Sequence, residues 1–371
     1  MSLTLGILTE TAPGERRVAI DPPTAARLAK LNLSIVAQKG AGSAAGFPDS
    51  EWSEVKWLDT AEQVAVEADI LACVQRPPDD VLKSLKSGSL LIGSLAPYNK
   101  FDDLKKLAKQ GVSIVPMELV PRISRAQSMD VLSSQATIAG YQAVIIGADL
   151  SPRLFPMLTT AAGTLRPAKA VVIGAGVAGL QAIATARRLG CQVEAYDIRA
   201  AAREQVESLG AKMIDTGVDA ETEGGYAREL TDDERQQQAD ALAAHLAKAD
   251  VVISTAAIPG RSAPRIISRA MVEDMKAGSV IIDIAAETGG NCELTKAGET
   301  VVINGVIING PLGLASRCPL HASEMYSKNI YNLLGLMIKE GELVVDTDDD
   351  VIKGTLLAHE GSIVHEKFQD Q

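Results

Sequence analysis

Residues 170–199 read AVVIGAGVAGLQAIATARRLGCQVEAYDIR. An apolar run, three spaced glycines, a helical stretch, a second apolar run and an acid follow one another, and few folds accommodate that order. Residues 171–173 suit a strand buried on both faces. Gly174 and Gly176 permit a tight turn and close approach to a pyrophosphate, and Gly179 lets helix and strand pack closely. A helix opening near Val177 offers free N–H groups and the positive end of its dipole to phosphates. Asp197, 18 residues after Gly179, ends the second strand, where a carboxylate can accept both ribose hydroxyls. That favours NAD(H), because a 2′-phosphate would meet a negative charge; Arg199, two residues on, could invert the choice.

With 371 residues the chain has room for about two domains. Hydrophobic residues make up 46% and aromatics only 3%, which suits an α/β chain rich in small aliphatic residues rather than a disordered or all-β one. The net charge of −11 excludes a nucleic-acid surface. Cys73, Cys191, Cys292 and Cys318 lack metal-type spacing and read as reduced thiols, and the four histidines are dispersed, so no metal site is expected. The amino end lacks a basic n-region and a long apolar core, and no apolar run reaches the roughly 18 residues of a membrane span, so a soluble chain is expected.

Strand-like runs at 3–8, 34–37, 70–74, 90–95 and 113–116 alternate with helical ones at 23–31, 61–68, 81–86 and 102–109. This predicts a parallel sheet covered on both faces. Residues 128–147 read as a long helix joining it to a second unit. There the alternation resumes: helices at 200–209, 234–249 and 266–275, with strands at 211–214, 251–255, 280–284 and 301–308. A helical pattern at 322–339 then returns to the first unit. The expected fold class is α/β, with two doubly wound parallel-sheet domains. Residues 136–319 form a Rossmann domain inserted into a first domain of 1–135 and 320–371, with a ligand cleft between them.

Two segments stand out. Residues 215–235 are acidic and aperiodic, and predict a lid over bound nucleotide with Gly224 and Gly225 as hinge and Tyr226 as the closing side chain; a solvated insertion without a role is the alternative. In RISRAQSMDVLSSQATIAGYQ, residues 122–142, Asp130, Ser133 and Ser134 share a helix face. Capping accounts for Ser128 as N-cap and for Asp130 in the first turn. It does not account for Arg122, Gln127 and Ser133.

These motifs, with MELVP, MLTTAAGT, GERRVAIDP, GGYARELTDDE and SRCPLHASEMYSKN, resemble the NAD(H)-binding component, domain I, of proton-translocating, Re/Si-specific nicotinamide nucleotide transhydrogenase. Alanine dehydrogenases are related and share the fold, the fingerprint and the LSSQATIAGY-like helix. They carry a Lys in a KEP motif and a His before Leu-Ala, where this chain has Gln75-Arg76-Pro77 and Ser94-Leu95-Ala96. Neither Gln75 nor Ser94 can act as a base near neutral pH, as oxidative deamination requires, whereas hydride transfer between two nicotinamides needs none.

The resemblance implies that Gly174, Gly176, Val177, Gly179, Asp197, Ile198, Arg199 and Ala256 hold the nucleotide, with Tyr226 on a mobile loop. It implies that Arg122, Asp130, Ser133 and Gln135 fix the nicotinamide and that Gln127 reaches toward the second nucleotide. NADP(H) would sit on a partner domain, and this chain would be a homodimer docked on membrane-spanning subunits at the cytoplasmic face, as a separate subunit or an excised domain. An alanine dehydrogenase-like amino-acid dehydrogenase and a non-catalytic NAD sensor are the competing readings.

Overall fold

The computed structural model describes residues 2–199, 201–218, 231–258 and 260–369; the expected hinge and Tyr226 lie outside them. The chain divides into two compact units, 1–135 with 315–371, and 136–314.

The first unit is built on β1 (Thr4–Ile7), β2 (Ser34–Gln38), β3 (Val55–Leu58), β4 (Ile70–Gln75), β5 (Leu90–Ser94) and β6 (Ser113–Pro116). They lie in the order β6-β5-β4-β1-β2-β3, all parallel, and a C-terminal hairpin of Ala358–His359 and Ser362–Ile363 adds antiparallel to β6. Continuous apolar runs make such strands because both faces are covered. Leu5, Ile7, Ile70 and Ile92 pack on one side with the return helix Pro319–Met337, and Leu71, Cys73, Leu91 and Ile114 on the other. Each fully buried aliphatic side chain contributes on the order of 1.5–3 kcal/mol. Helix starts carry their own signals: Asp21 accepts from Thr24 N ahead of Pro22–Ala29, and Thr60 and Gln63 form a capping box ahead of Ala61–Glu67.

The second unit carries a short exposed hairpin of β7 (Leu158–Thr160) and β8 (Gly163–Leu165). Its main sheet comprises β9 (Lys169–Ile173), β10 (Gln192–Tyr196), β11 (Lys212–Met213), β12 (Val251–Ser254), β13 (Val280–Asp283), β14 (Thr300–Ile303) and β15 (Val306–Asn309). The order β11-β10-β9-β12-β13-β15-β14 is parallel except for β14. The switch of direction falls between β9 and β12, where ligands bind in doubly wound sheets.

Several expectations are corrected. The run at 301–308 is not one strand but the hairpin β14–β15, because Asn304 and Gly305 both take positive φ, 49° and 80°, as a two-residue Asn-Gly hairpin requires. Of the helix expected at 266–275 only Arg269–Glu273 forms, since Ile267 bridges Cys292 and Ser268 is the cap. The helix expected at 81–86 is Asp79–Lys83. The joining helix is Val131–Leu150 and is preceded by a 3-10 turn, Ser124–Met129, so Ser128 is not its N-cap. The chain re-enters the first unit at Ala315, not 320, because Ser316 already hydrogen-bonds Glu15. Among the described residues no helix is long and apolar enough to cross a membrane.

Candidate functional site

At the carboxyl end of β9 the chain turns through Gly174 with φ +88°. A Cβ there would come within 2.7 Å of Thr255 Oγ1, whose hydroxyl is held against the carbonyls of Ile173 and Gly174 at 3.0 Å. A Cβ on Gly179 would collide with the Gly174 carbonyl, and one on Gly140 of the joining helix with the Ala178 carbonyl. The three glycines thus let two helices and a loop close on one turn. Gly176 is the N-cap of helix Val177–Arg188, and no side chain caps it. A Cβ on Gly176 would meet no atom within 4 Å. Uncapped N–H groups behind an unobstructed glycine fit a phosphate group.

Asp197 lies just past β10. Its Oδ2 accepts from Ala175 N at 2.7 Å, and Arg199 donates to the same carboxylate from its backbone N at 2.8 Å and from its guanidinium at 2.9 Å. Burial alone would raise the Asp197 carboxyl, but the Arg199 and Ala175 donors outweigh it and hold the group below its usual range. Asp197 therefore stays ionised beside the glycine turn, with its charge shared by Arg199. Val177 and Ile198, 42% and 57% exposed, add apolar surface on elements that flank it.

The loop after β12, which carries Ala256, is fixed by a residue that sequence reasoning missed. Asn291 is fully buried; its Oδ1 accepts from Ser254 Oγ at 2.8 Å and Ala256 N at 3.1 Å, and its Nδ2 donates to the carbonyls of Ala256 and Pro264 at 2.8 and 2.9 Å. Asp283 in turn accepts from Asn291 N at 2.7 Å. All the bonding capacity of this amide is used. Asn291→Ala orphans four polar groups at once, and we expect it to cost about 3 kcal/mol by denaturant unfolding, each unmet buried group costing about 1–3 kcal/mol without full additivity. A loss below about 1 kcal/mol would contradict this role.

In the first unit, Asp130 is the N-cap of the joining helix: its two oxygens accept from Ser133 N at 3.0 Å and Ser133 Oγ at 2.6 Å. Arg122 and Gln127 are exposed on the preceding turn. Arg125 pairs with Asp349. Gln135 has its amide engaged within the unit, accepting from Arg17 Nη1 at 2.8 Å and donating to Ala322 O at 3.2 Å and to Ser134 Oγ at 3.1 Å.

Arg17 belongs to a buried network at the carboxyl ends of β1 and β4 that the spacing of residues did not reveal. Glu15 takes Arg17 Nε and Nη2 at 2.7 and 2.6 Å, Gln75 Nε2 at 3.1 Å, and Ser316 Oγ. Ser94 bonds the buried Tyr326 hydroxyl at 3.1 Å. Burial would raise Glu15, but the Arg17 guanidinium overrides it and lowers the carboxyl to about 2. Glu10 accepts from Val74 N and Gln75 N at 2.5 and 3.0 Å, yet burial prevails and lifts it to about 7.

The two acids give opposite pH windows. Glu15, lowered, stabilises above its unfolded value and loses that as pH falls toward 2. Glu10, raised from 4.5 to about 7, favours the native state below 4.5 and loses this as pH rises through 7. Glu10→Gln is therefore expected to flatten the decline in melting temperature between those two values; an unchanged slope would count against it.

Sequence comparison places these features. The model described as Alanine dehydrogenase/PNT, N-terminal domain, matches residues 6–139, and that described as Alanine dehydrogenase/PNT, C-terminal domain, matches 143–366. The first portion of the split NAD(P) transhydrogenase subunit alpha of Rhodospirillum rubrum is 44% identical over 382 residues, with 100% of both chains covered. The crystal structure of transhydrogenase from Sinorhizobium meliloti superposes with a TM-score of 0.89 at 44% identity, covering 97% of this chain and 100% of that one. Alanine dehydrogenase of Mycobacterium tuberculosis is more distant, 28% identical over 299 residues, covering 78% of this chain and 74% of its own. With family models spanning both units and full-length identity to a transhydrogenase subunit, the chain belongs to the alanine dehydrogenase/PNT family, on its transhydrogenase alpha-subunit branch.

Proposed function

We propose that this chain is the NAD(H)-binding subunit of a proton-translocating transhydrogenase, passing hydride directly between NADH and an NADP+ held by a partner domain. The observation that carries the reading is the fate of the acid–base positions. Gln75 and Ser94, which stand where alanine dehydrogenases carry Lys and His, are engaged with Glu15 and Tyr326. Both Asp130 oxygens are used by Ser133, and Glu10 is tied to the end of β4 by two backbone N–H groups. Ring-to-ring hydride transfer requires alignment and exclusion of water and no proton-transfer group.

In this reading Gly174, Gly176, Val177 and Gly179 take the pyrophosphate and Asp197 the adenine-side ribose, with Ile198, Arg199 and Ala256 around them. Arg122, Asp130 and Ser133 fix the nicotinamide, and Gln127 extends to the second nucleotide. Tyr226 belongs to the loop outside the described residues.

The chain works as a homodimer on membrane-spanning subunits at the cytoplasmic face. The hairpin β7–β8 supports the dimer: Met157, Leu158 and Leu165 are 63%, 40% and 53% exposed, apolar surface suited to a second copy.

The test is to mix the chain with an NADP(H)-binding domain of a transhydrogenase and follow hydride transfer to a nicotinamide analogue. Transfer is expected with the partner and little without it. Reduction of NAD+ by alanine with no partner would favour an amino-acid dehydrogenase instead. Gln127→Asn is expected to slow transfer about tenfold with NADH affinity within twofold, the signature of lost positioning; a parallel loss of affinity would contradict that role.

A further inference from the structure

Asn329 and Asn332 lie three residues apart on the return helix Pro319–Met337, so they share a face. Both side-chain amides donate to one acceptor, the Ser128 carbonyl, at 2.8 and 3.0 Å. Ser128 follows Gln127 in the 3-10 turn Ser124–Met129. The other end of the Asn329 amide accepts from Ser134 Oγ at 2.7 Å. One buried side chain, 6% exposed, therefore spans from the turn before Asp130 to the first helical turn after it.

Only a neutral amide serves both ends, because the carbonyl needs a donor and the hydroxyl an acceptor. Helix capping does not account for the arrangement: Asp130 already caps the helix through Ser133. Nor does burial, because Ser128 is exposed and water could satisfy its carbonyl. Two ordered amides on one exposed carbonyl fix where the turn sits. From Ser134 the chain of bonds continues through Gln135 to Arg17 and Glu15, which anchors it in the buried network of the first unit.

We propose that Asn329, seconded by Asn332, is a positioning residue for Gln127: it locks the backbone of the 124–129 turn so that the Gln127 side chain is presented in one place for hydride transfer. This rests on the role given to Gln127 above.

Asn329→Asp tests it, since the shape and the acceptor for Ser134 are kept and the donor to Ser128 is lost. In the full chain, backbone amide exchange over 124–133 is expected to rise about tenfold while exchange over 170–180 stays unchanged. Single-turnover hydride transfer to NADP+ on the partner domain should fall about tenfold with NADH affinity within twofold, and combining Asn329→Asp with Gln127→Ala should add no further loss. Unchanged exchange over 124–133, a matching fall in NADH affinity, or multiplicative losses in the double variant would overturn the proposal. Should Asn329→Asp fail to fold, Ser134→Ala removes the same span from its other end and should give the same pattern, about threefold in size, from loss of one hydrogen bond. If the wild-type chain passes no hydride to the partner domain, the functional reading fails, and the exchange measurement alone decides whether Asn329 fixes the turn.

Discussion

Asp197→Ala is expected to weaken NADH binding by about two orders of magnitude and to move preference toward NADPH. Two charge-assisted hydrogen bonds to ribose hydroxyls contribute at least about 1.5 kcal/mol each, together about 3 kcal/mol, or roughly a hundredfold in affinity. The second half of the expectation follows from Arg199, whose guanidinium is held by the Asp197 carboxylate at 2.9 Å. With the acid removed, that guanidinium is released beside the position of the 2′-hydroxyl, where it suits a phosphate. Titrations of both nucleotides against the variant check this, with Asp197→Ala/Arg199→Ala separating the two contributions. Unchanged discrimination between NADH and NADPH would remove the assignment of Asp197 as the selecting residue.

Gly179→Ala and Gly176→Ala are expected to abolish nucleotide binding for different reasons. A methyl group on Gly179 runs into the Gly174 carbonyl, which is backbone and cannot swing aside. Helix and turn must separate, at about 1–3 kcal/mol of over-packing. That lowers the melting temperature by several degrees, at roughly 2–4 °C per kcal/mol for a unit of this size, and draws the helix N-terminus away from the phosphates. On Gly176 the methyl group meets no protein atom within 4 Å and φ is −79°, so stability is retained while the methyl occupies the approach to the uncapped N–H groups. Thermal melts and NADH titrations separate the cases. A Gly176→Ala chain that still binds NADH within about threefold would place the pyrophosphate elsewhere, in a site where approach to this glycine is not required.

The core of the fold was legible because burial on both faces leaves a plain trace: β9 and β12 are unbroken apolar runs between glycines and charged residues. The hairpin at Asn304-Gly305 is written in the sequence too, but the apolar residues on either side mask it as one continuous run. The short strand β3 and the C-terminal hairpin carry little periodicity of their own; pairing with β2 and β6 makes them strands. The nucleotide-binding elements were legible in the same way, since the glycine spacing and Asp197 are local. Residues joined only by the fold were not: Glu15 meets Ser316 301 positions away, and Asn291 meets Ser254 37 positions away. Such pairs become visible only when the sheet order is known. Gly140 belongs with them, since nothing about a glycine in a helical pattern shows that the Ala178 carbonyl lies against it.

The division of the chain also bears on its synthesis. The second unit is one contiguous stretch, 136–314, while the first needs 315–371 to supply the return helix and the hairpin that covers β6. On the ribosome the nucleotide-binding half can finish first, because contiguous domains fold as units during translation. The earlier-made half must wait with the edge of β6 unpaired, a window in which nascent chains would be open to strand-to-strand association or chaperone capture.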